Sequence, residues 1–369
     1  MSHIEQIISI IPYKPKIGIT TGDINGIGIE LIIKSLSEHR LLEICTPVVF
    51  ASNKVLNFYK NIVGEQNIKY AGTKDINALM PKVINVFNCW DEEVAMTPGQ
   101  LTEVGGKYGI RSLMVATQCL KDGELDGLIT NPIHKKNSQT NDFQYTGHTP
   151  FLKDKFGVKD VAMMMCTDEL KIALLTEHIP IAEVAKYVTV DNIINKTKII
   201  VDSLIRDFGK DRPKIAVLSL NPHASDDGLI GNEEQQFIVP AIEKLKSEGL
   251  LVYGPYAADA FFARQHDKQF DCVLAMYHDQ GLIPFKSFDR GMGVNYTAGL
   301  PVVRTSPDHG TAFDIAGKNK ADQTSFLEAL YLCIDILNMR KGYTENTKNK
   351  LQKGINKNLL KKTKEDIEE

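Results

Sequence analysis

An α/β protein built on a largely parallel sheet is the fold this chain predicts, and three observations carry that reading. Strand-like apolar runs alternate with helix-like stretches along most of the 369 residues, the pattern of strand–helix–strand units. The runs "TPVVFAS", "LDGLIT", "AMMMC", "KIALLTEH", "KIAVLSL", "LLVYGPY" and "FDCVLAMY" are short and apolar, as strands are. Between several of them lie amphipathic stretches of helical spacing, such as "GIRSLMVATQCLKDGE" and "NEEQQFIVPAIEKLKSEG". The length suits two domains, or one large α/β domain with an insertion.

Taken in order, the chain opens on "MSHIEQIISIIPYKPK", which lacks the basic start and small-residue cleavage site of a secretory leader. Next, "IGITTGDINGIGIELIIKSL" passes from a short strand into a helix, and Gly22, Gly26 and Gly28 permit a tight turn with close backbone approach. The segment is neither G-x-G-x-x-G nor a P-loop, so an ordinary Rossmann site and a Walker-type ATPase are disfavoured. In "YTGHTPFLKDKFG", Thr149 before Pro150 reads as a helix N-cap with proline at the first helical position, a terminus whose free N–H groups favour anions. The stretch "VAMMMCTDELKIALLTEH" holds two strand-like runs around a polar turn and reads as an antiparallel hairpin, an exception to the parallel pattern.

Three strand-like runs then end in histidine: His178 after "KIALLTE", His223 in "KIAVLSLNPHASDDG" and His278 after "CVLAMY". Ligands of open α/β sheets sit beyond the carboxyl ends of strands, where three imidazoles can converge on one point. Imidazole is the commonest metal ligand, and nitrogen-rich sites suit zinc, copper, iron or nickel-type ions. A lone histidine is more often a packed or surface group, and the spacing is too long for a local metal motif. Asp279 stands beside His278. Lys286, Asn295 and Arg304 follow in "LIPFKSF" and "GMGVNYTAGLPVVRTS", apolar or glycine-rich surroundings where an unpaired charge is costly and a bound anion supplies a partner. Beyond them "TSPDHGTAFDIAGKNKAD" is a polar loop with His309, Gly310 and Gly317. The chain closes on the lysine-rich "NTKNKLQKGINKNLLKKTKEDIEE", a solvated terminal helix or tail.

The formal net charge of −3 argues against a dedicated nucleic-acid or membrane-surface binder, and no run approaches the ~20 apolar residues of a membrane helix. Six cysteines without a C-x-x-C pair read as core thiols of a reducing cytoplasm, and a cysteine metal site is not expected.

Together "GDINGIGIE", "TNPIHK", "GHT", "LNPHASDDGLIGNEE", "YHDQGLIPFK" and "RTSPDHGTAFDIAGKNKAD" resemble the 4-hydroxythreonine-4-phosphate dehydrogenase family, over roughly residues 15–335. The first and last also echo the isocitrate/isopropylmalate dehydrogenase superfamily. The resemblance implies two α/β/α domains with a cleft between them, one from residues 1–140 plus 300–369 and one from 141–299. It implies NAD-dependent oxidation of a secondary alcohol in a phosphorylated substrate, with NADP as an alternative carrier. A divalent metal (zinc, magnesium or cobalt) would be held by His178, His223 and His278, at a site shared across a homodimer. Substrate would meet His148, Thr149, Lys286, Asn295 and Arg304. Asp259 and Asp279 would be the acidic groups near the metal, with Asp279 and Lys286 the candidate proton acceptors. The loop of His309, Gly310, Asp314 and Gly317 would contribute to the nucleotide site. The rivals are a same-fold dehydrogenase of another phosphorylated or diol acid, and a hydrolase using metal-bound water.

Overall fold

The computed structural model describes residues 13–38 and 40–348. The opening segment before residue 13 and the lysine-rich stretch from residue 349 onward, on which the readings of a leader and of a terminal tail bear, lie outside the described residues.

Twelve strands form one sheet: β1 (Lys16–Thr20), β2 (Thr46–Ala51), β3 (Tyr70–Thr73), β4 (Ile84–Asn88), β5 (Gly127–Ile129), β6 (Ala162–Cys166), β7 (Lys171–Leu174), β8 (Lys214–Leu218), β9 (Leu251–Tyr256), β10 (Cys272–Ala275), β11 (Val294–Ala298) and β12 (Val303–Pro307). Their spatial order is β3-β4-β2-β1-β5-β12-β11-β6-β7-β10-β8-β9. The outer stretches on both sides are parallel, as the sequence predicts. Antiparallel pairing is confined to the middle, where β12, β11, β6 and β7 lie side by side, and the expected hairpin is β6–β7.

The helices α1 (Gly28–Leu36), α2 (Asn53–Val63), α3 (Glu103–Lys121), α4 (His148–Lys155), α5 (Val190–Phe208), α6 (Val239–Ser247), α7 (Ala258–Ala263), α8 (His278–Phe288) and α9 (Thr324–Thr347) cover the sheet. Several carry their own boundary signals. Ser52, Thr102 and Thr189 accept hydrogen bonds from Val55, Gly105 and Asn192 backbone N–H groups at the starts of α2, α3 and α5. Gly64 and Gly209 end α2 and α5 in the left-handed conformation. Strand β6 shows the two-residue period of a doubly covered sheet: Met163 and Met165 pack on one face, Ala162, Met164 and Cys166 on the other. All six cysteines are buried and free.

The chain passes from the first half of the sheet to the second between β5 and β6, and returns through residues 299–302 between β11 and β12. The two halves are tied on one side by Asp207 of α5, whose carboxylate is fully buried. It accepts from Arg206 Nε at 2.9 Å, from Arg340 Nε of α9 at 2.6 Å and from the Tyr296 hydroxyl of β11.

Candidate active site

The carboxyl ends of β5, β12 and β7 open on a cleft of about 620 Å³. Arg304 of β12 lies at its floor and is only 3% exposed. Its guanidinium donates to two hydroxyls: Nε and Nη2 to Thr130 Oγ1 at 3.0 and 2.6 Å, and Nη1 to Thr297 Oγ1 at 3.0 Å. Among the described residues no carboxylate lies within ion-pairing distance of it. Burial pushes its pKa down to about 10, with the nearby Glu177 carboxyl opposing. A buried cation held only by neutral acceptors is the arrangement an anionic ligand completes.

Three other cleft residues have a buried polar atom without a partner: His148 Nε2, Asn295 Oδ1 and His309 Nε2. Buried polar atoms are nearly always paired in native structures, so such atoms around one cavity mark a place for a polar ligand. Burial, and then the Arg304 charge, push the His148 imidazole well below its ordinary range; burial lowers His309 as well. Both rings are therefore neutral near pH 7.

Lys286 and Thr149 also line the cleft, each with a correction to the sequence reading. Helix α4 begins at His148 after Gly147, so Thr149 stands inside the first turn and caps nothing. Proline is tolerated there because the first helical N–H groups lack intrahelical acceptors. Lys286 is half-exposed and pairs with Asp308 at 3.1 Å, rather than lying unpaired among apolar groups. Helical periodicity explains the difference: Leu282 and Phe285 face the core while Ile283 and Phe288 face solvent.

The three histidines sort differently. Strand β7 ends at Leu174, and His178 lies in the turn beyond it, lining the cleft. His278 is the first residue of α8, its Nδ1 2.7 Å from Asp279 Oδ1. The His178 and His278 rings are 5.6 Å apart between centroids. His223 is exposed, on a turn where His223, Ala224, Ser225, Asp226 and Asp227 all have φ between 49° and 70°. Among the described residues, no group of three or more His, Cys, Asp or Glu side chains is arranged to hold a metal ion. One chain thus offers two adjacent imidazoles, an incomplete ligand set for a zinc-type ion.

Asp259, on α7, is exposed and outside the cleft, as are Asp279 and Asp314. Gly310 lines the cleft beside His309, whereas Gly317 does not. Gly317 has φ 76°, and a Cβ there would press on Pro98 at 2.6 Å. Its N–H donates to Glu30, a fully buried carboxylate of α1 that also accepts from Asn319 N at 3.1 Å.

A family model, "Pyridoxal phosphate biosynthetic protein PdxA", matches residues 43–333. The chain belongs to the PdxA family. Among PdxA relatives, the 4-hydroxythreonine-4-phosphate dehydrogenase of Bacteroides thetaiotaomicron is 43% identical, covering 89% of this chain and 90% of its own. A protein of Oceanobacillus iheyensis, provisionally named D-threonate 4-phosphate dehydrogenase, is 37% identical, covering 88% of this chain and 98% of its own. The crystal structure of the Klebsiella pneumoniae 4-hydroxythreonine-4-phosphate dehydrogenase superposes with a TM-score of 0.75 at 34% identity, covering 88% of this chain and 98% of its own. The family resemblance read from the motifs therefore holds, as does the α/β fold class shared with the family's solved structures.

Several residues that shape this PdxA site carry no motif-level signal of chemistry. Asp308 and Glu30 stand inside quoted motifs, yet only the fold reveals that one pairs with Lys286 and the other anchors the 308–323 loop. Glu234 is buried and accepts from the backbone N–H groups of Leu220 and Asn221, both at 2.8 Å, just before the His223 turn. Gln280 accepts from Met276 N at 2.7 Å and donates to Ser219 O at 2.6 Å, joining the segments that lead to His278 and His223.

Proposed function

We propose that this PdxA-family chain oxidises 4-phosphohydroxy-L-threonine with NAD, NADP being the alternative carrier, to 2-amino-3-oxo-4-phosphooxybutanoate. That β-keto acid loses carbon dioxide to leave 3-amino-2-oxopropyl phosphate, within pyridoxal phosphate biosynthesis in the cytoplasm. The observation that carries the reading is Arg304, a buried guanidinium that forms no ion pair among the described residues, at a cleft with three unanswered polar atoms. A small acid bearing phosphate, carboxylate and amino groups satisfies such a lining, and the named activity of the relatives supplies its identity.

In this reading Arg304, Lys286 and the first turn of α4 at His148 and Thr149 hold the substrate's anionic groups. Asn295 Oδ1 accepts a hydrogen bond from a donor on the substrate. Nicotinamide, when bound, would supply the hydride acceptor for the alcohol carbon; Asp279, or Lys286 in its neutral form, would take the hydroxyl proton, with Asp259 as a further acidic group. The loop of His309, Gly310, Asp314 and Gly317 would hold the nucleotide, with His309 Nε2 as a hydrogen-bonding group for it. A divalent ion (zinc, magnesium or cobalt) on His178, His223 and His278 belongs to the reading. Among the described residues the three imidazoles are not gathered into one metal site, and in this reading a homodimer would complete it. In this reading residues 1–140 with 300–369 form one unit and residues 141–299 the other, with the cleft between them.

The test is absorbance at 340 nm with purified protein, NAD and 4-phosphohydroxy-L-threonine, before and after a chelator. Reduction should vanish on stripping and return with zinc, cobalt or magnesium. Turnover without nicotinamide would instead indicate a hydrolase. The Oceanobacillus relative favours a second reading, D-threonate 4-phosphate as substrate. A higher kcat/KM for that acid, which lacks the amino group, would replace the first reading with the second.

A further inference from the structure

We propose that Thr130 and Thr297 are positioning residues that hold Arg304 through uncharged acceptors, leaving its charge for the incoming substrate anion. The inference rests on the reading of Arg304 as an anion ligand given above.

Strand β12 lies between β5 and β11, and each neighbour sends one threonine to the guanidinium. Thr130 directly follows β5, with its N–H fixed to Thr305 O at 3.1 Å, and Thr297 lies within β11. Both are 1% exposed. Thr130 accepts two of the guanidinium N–H bonds and Thr297 a third. An arginine has five donors in a rigid fork, so two remain.

The nature of the acceptors decides what those two donors are worth. A carboxylate at either position would orient the fork equally well but would also neutralise it. A hydroxyl orients without neutralising. Its own proton also stays available, and Thr130 lines the cleft, so that hydroxyl can donate to the same anion while accepting from Arg304. The contrast within the cleft is Lys286, whose ammonium does have a carboxylate partner in Asp308. The two cations therefore differ: Lys286 is ion-paired and half-exposed, while Arg304 is buried with the Glu177 carboxyl nearby but, among the described residues, no ion pair.

The test uses the full chain and two readouts: binding of inorganic phosphate by calorimetry, and KM against kcat with 4-phosphohydroxy-L-threonine. Thr130→Val should weaken phosphate binding about tenfold and raise KM in similar proportion, with kcat falling far less. Thr130→Ser, which keeps the hydroxyl, should restore both. Thr297→Asp, which puts a carboxylate beside the fork, should abolish phosphate binding. A folded Thr130→Val with wild-type phosphate affinity, or Thr297→Asp that still binds phosphate, would overturn the proposal. If the wild type binds phosphate in a Thr130-dependent way yet oxidises no 4-phosphohydroxy-L-threonine, the proposed function falls and the threonine cradle stands. If that substrate turns over and Thr130→Val is indistinguishable from wild type, the cradle falls and the function stands.

Discussion

Arg304 shows how much a single buried charge can say about a ligand. Replacing it with lysine keeps the charge but removes the planar fork, and the shorter list of donors cannot reach two hydroxyls and an anion together. Arg304→Lys should raise the substrate KM by about tenfold or more, with a smaller change in kcat. Steady-state kinetics checks this, and an unchanged KM would remove Arg304 from the binding role. The histidines give a pH prediction. His148 and His309 are held below their ordinary value of 6.5 in the folded chain, chiefly by burial. The unfolded chain therefore takes up those protons first as the pH falls. Their contribution is full above the unfolded value and is lost progressively below about pH 6.5. Melting temperatures measured from pH 7.5 to 5 should fall on the acid side, and His148→Gln should flatten that slope.

At the scale of elements, the turn into α1 and the 308–323 loop form one packed unit. Ile27 N donates to Thr311 O at 3.1 Å, and a Cβ on Gly26 would meet the same oxygen at 2.9 Å. Glu30 then fixes the far end of the loop through Gly317 and Asn319. Glu30→Gln should cost about 1–3 kcal/mol in denaturant unfolding, because one oxygen becomes a donor facing a donor. Hydrogen exchange at the Gly317 and Asn319 amides should speed up; unchanged protection would mean that the loop is held elsewhere. Most of these elements were legible in the sequence, since alternation of apolar runs gave the strands and the hairpin, and long motifs gave the family. What was not legible depends on which side of an element a residue faces. Lys286 sits among apolar letters yet lies on a solvent-facing edge of α8, and Pro150 marks the third helical position rather than the first. His178, His223 and His278 all follow strands, but the backbone beyond each strand, not the strand, decides where the imidazole goes.

Across the whole molecule, the Asp207 cluster fastens α5 of one half to α9 and β11. Removing the carboxylate would strip Arg340 of its ion pair and leave the Tyr296 hydroxyl proton without its acceptor. Asp207→Ala should therefore destabilise the chain by on the order of 3–5 kcal/mol, read as a lower denaturation midpoint. A loss under 1 kcal/mol would show that the halves are joined mainly by sheet pairing.

The position of β12 has a consequence for how the chain is made. Residues 162–298 are continuous, so β6 to β11 can find one another as soon as they leave the ribosome. The edge of β5, by contrast, can be covered only when Arg304 and its strand arrive, after the whole of that middle segment has been synthesised. Until then the first half displays a bare parallel strand edge, the surface that invites pairing with other chains. Anion recognition is thus acquired only after the middle segment is complete, and the strand that brings it also removes the exposed edge.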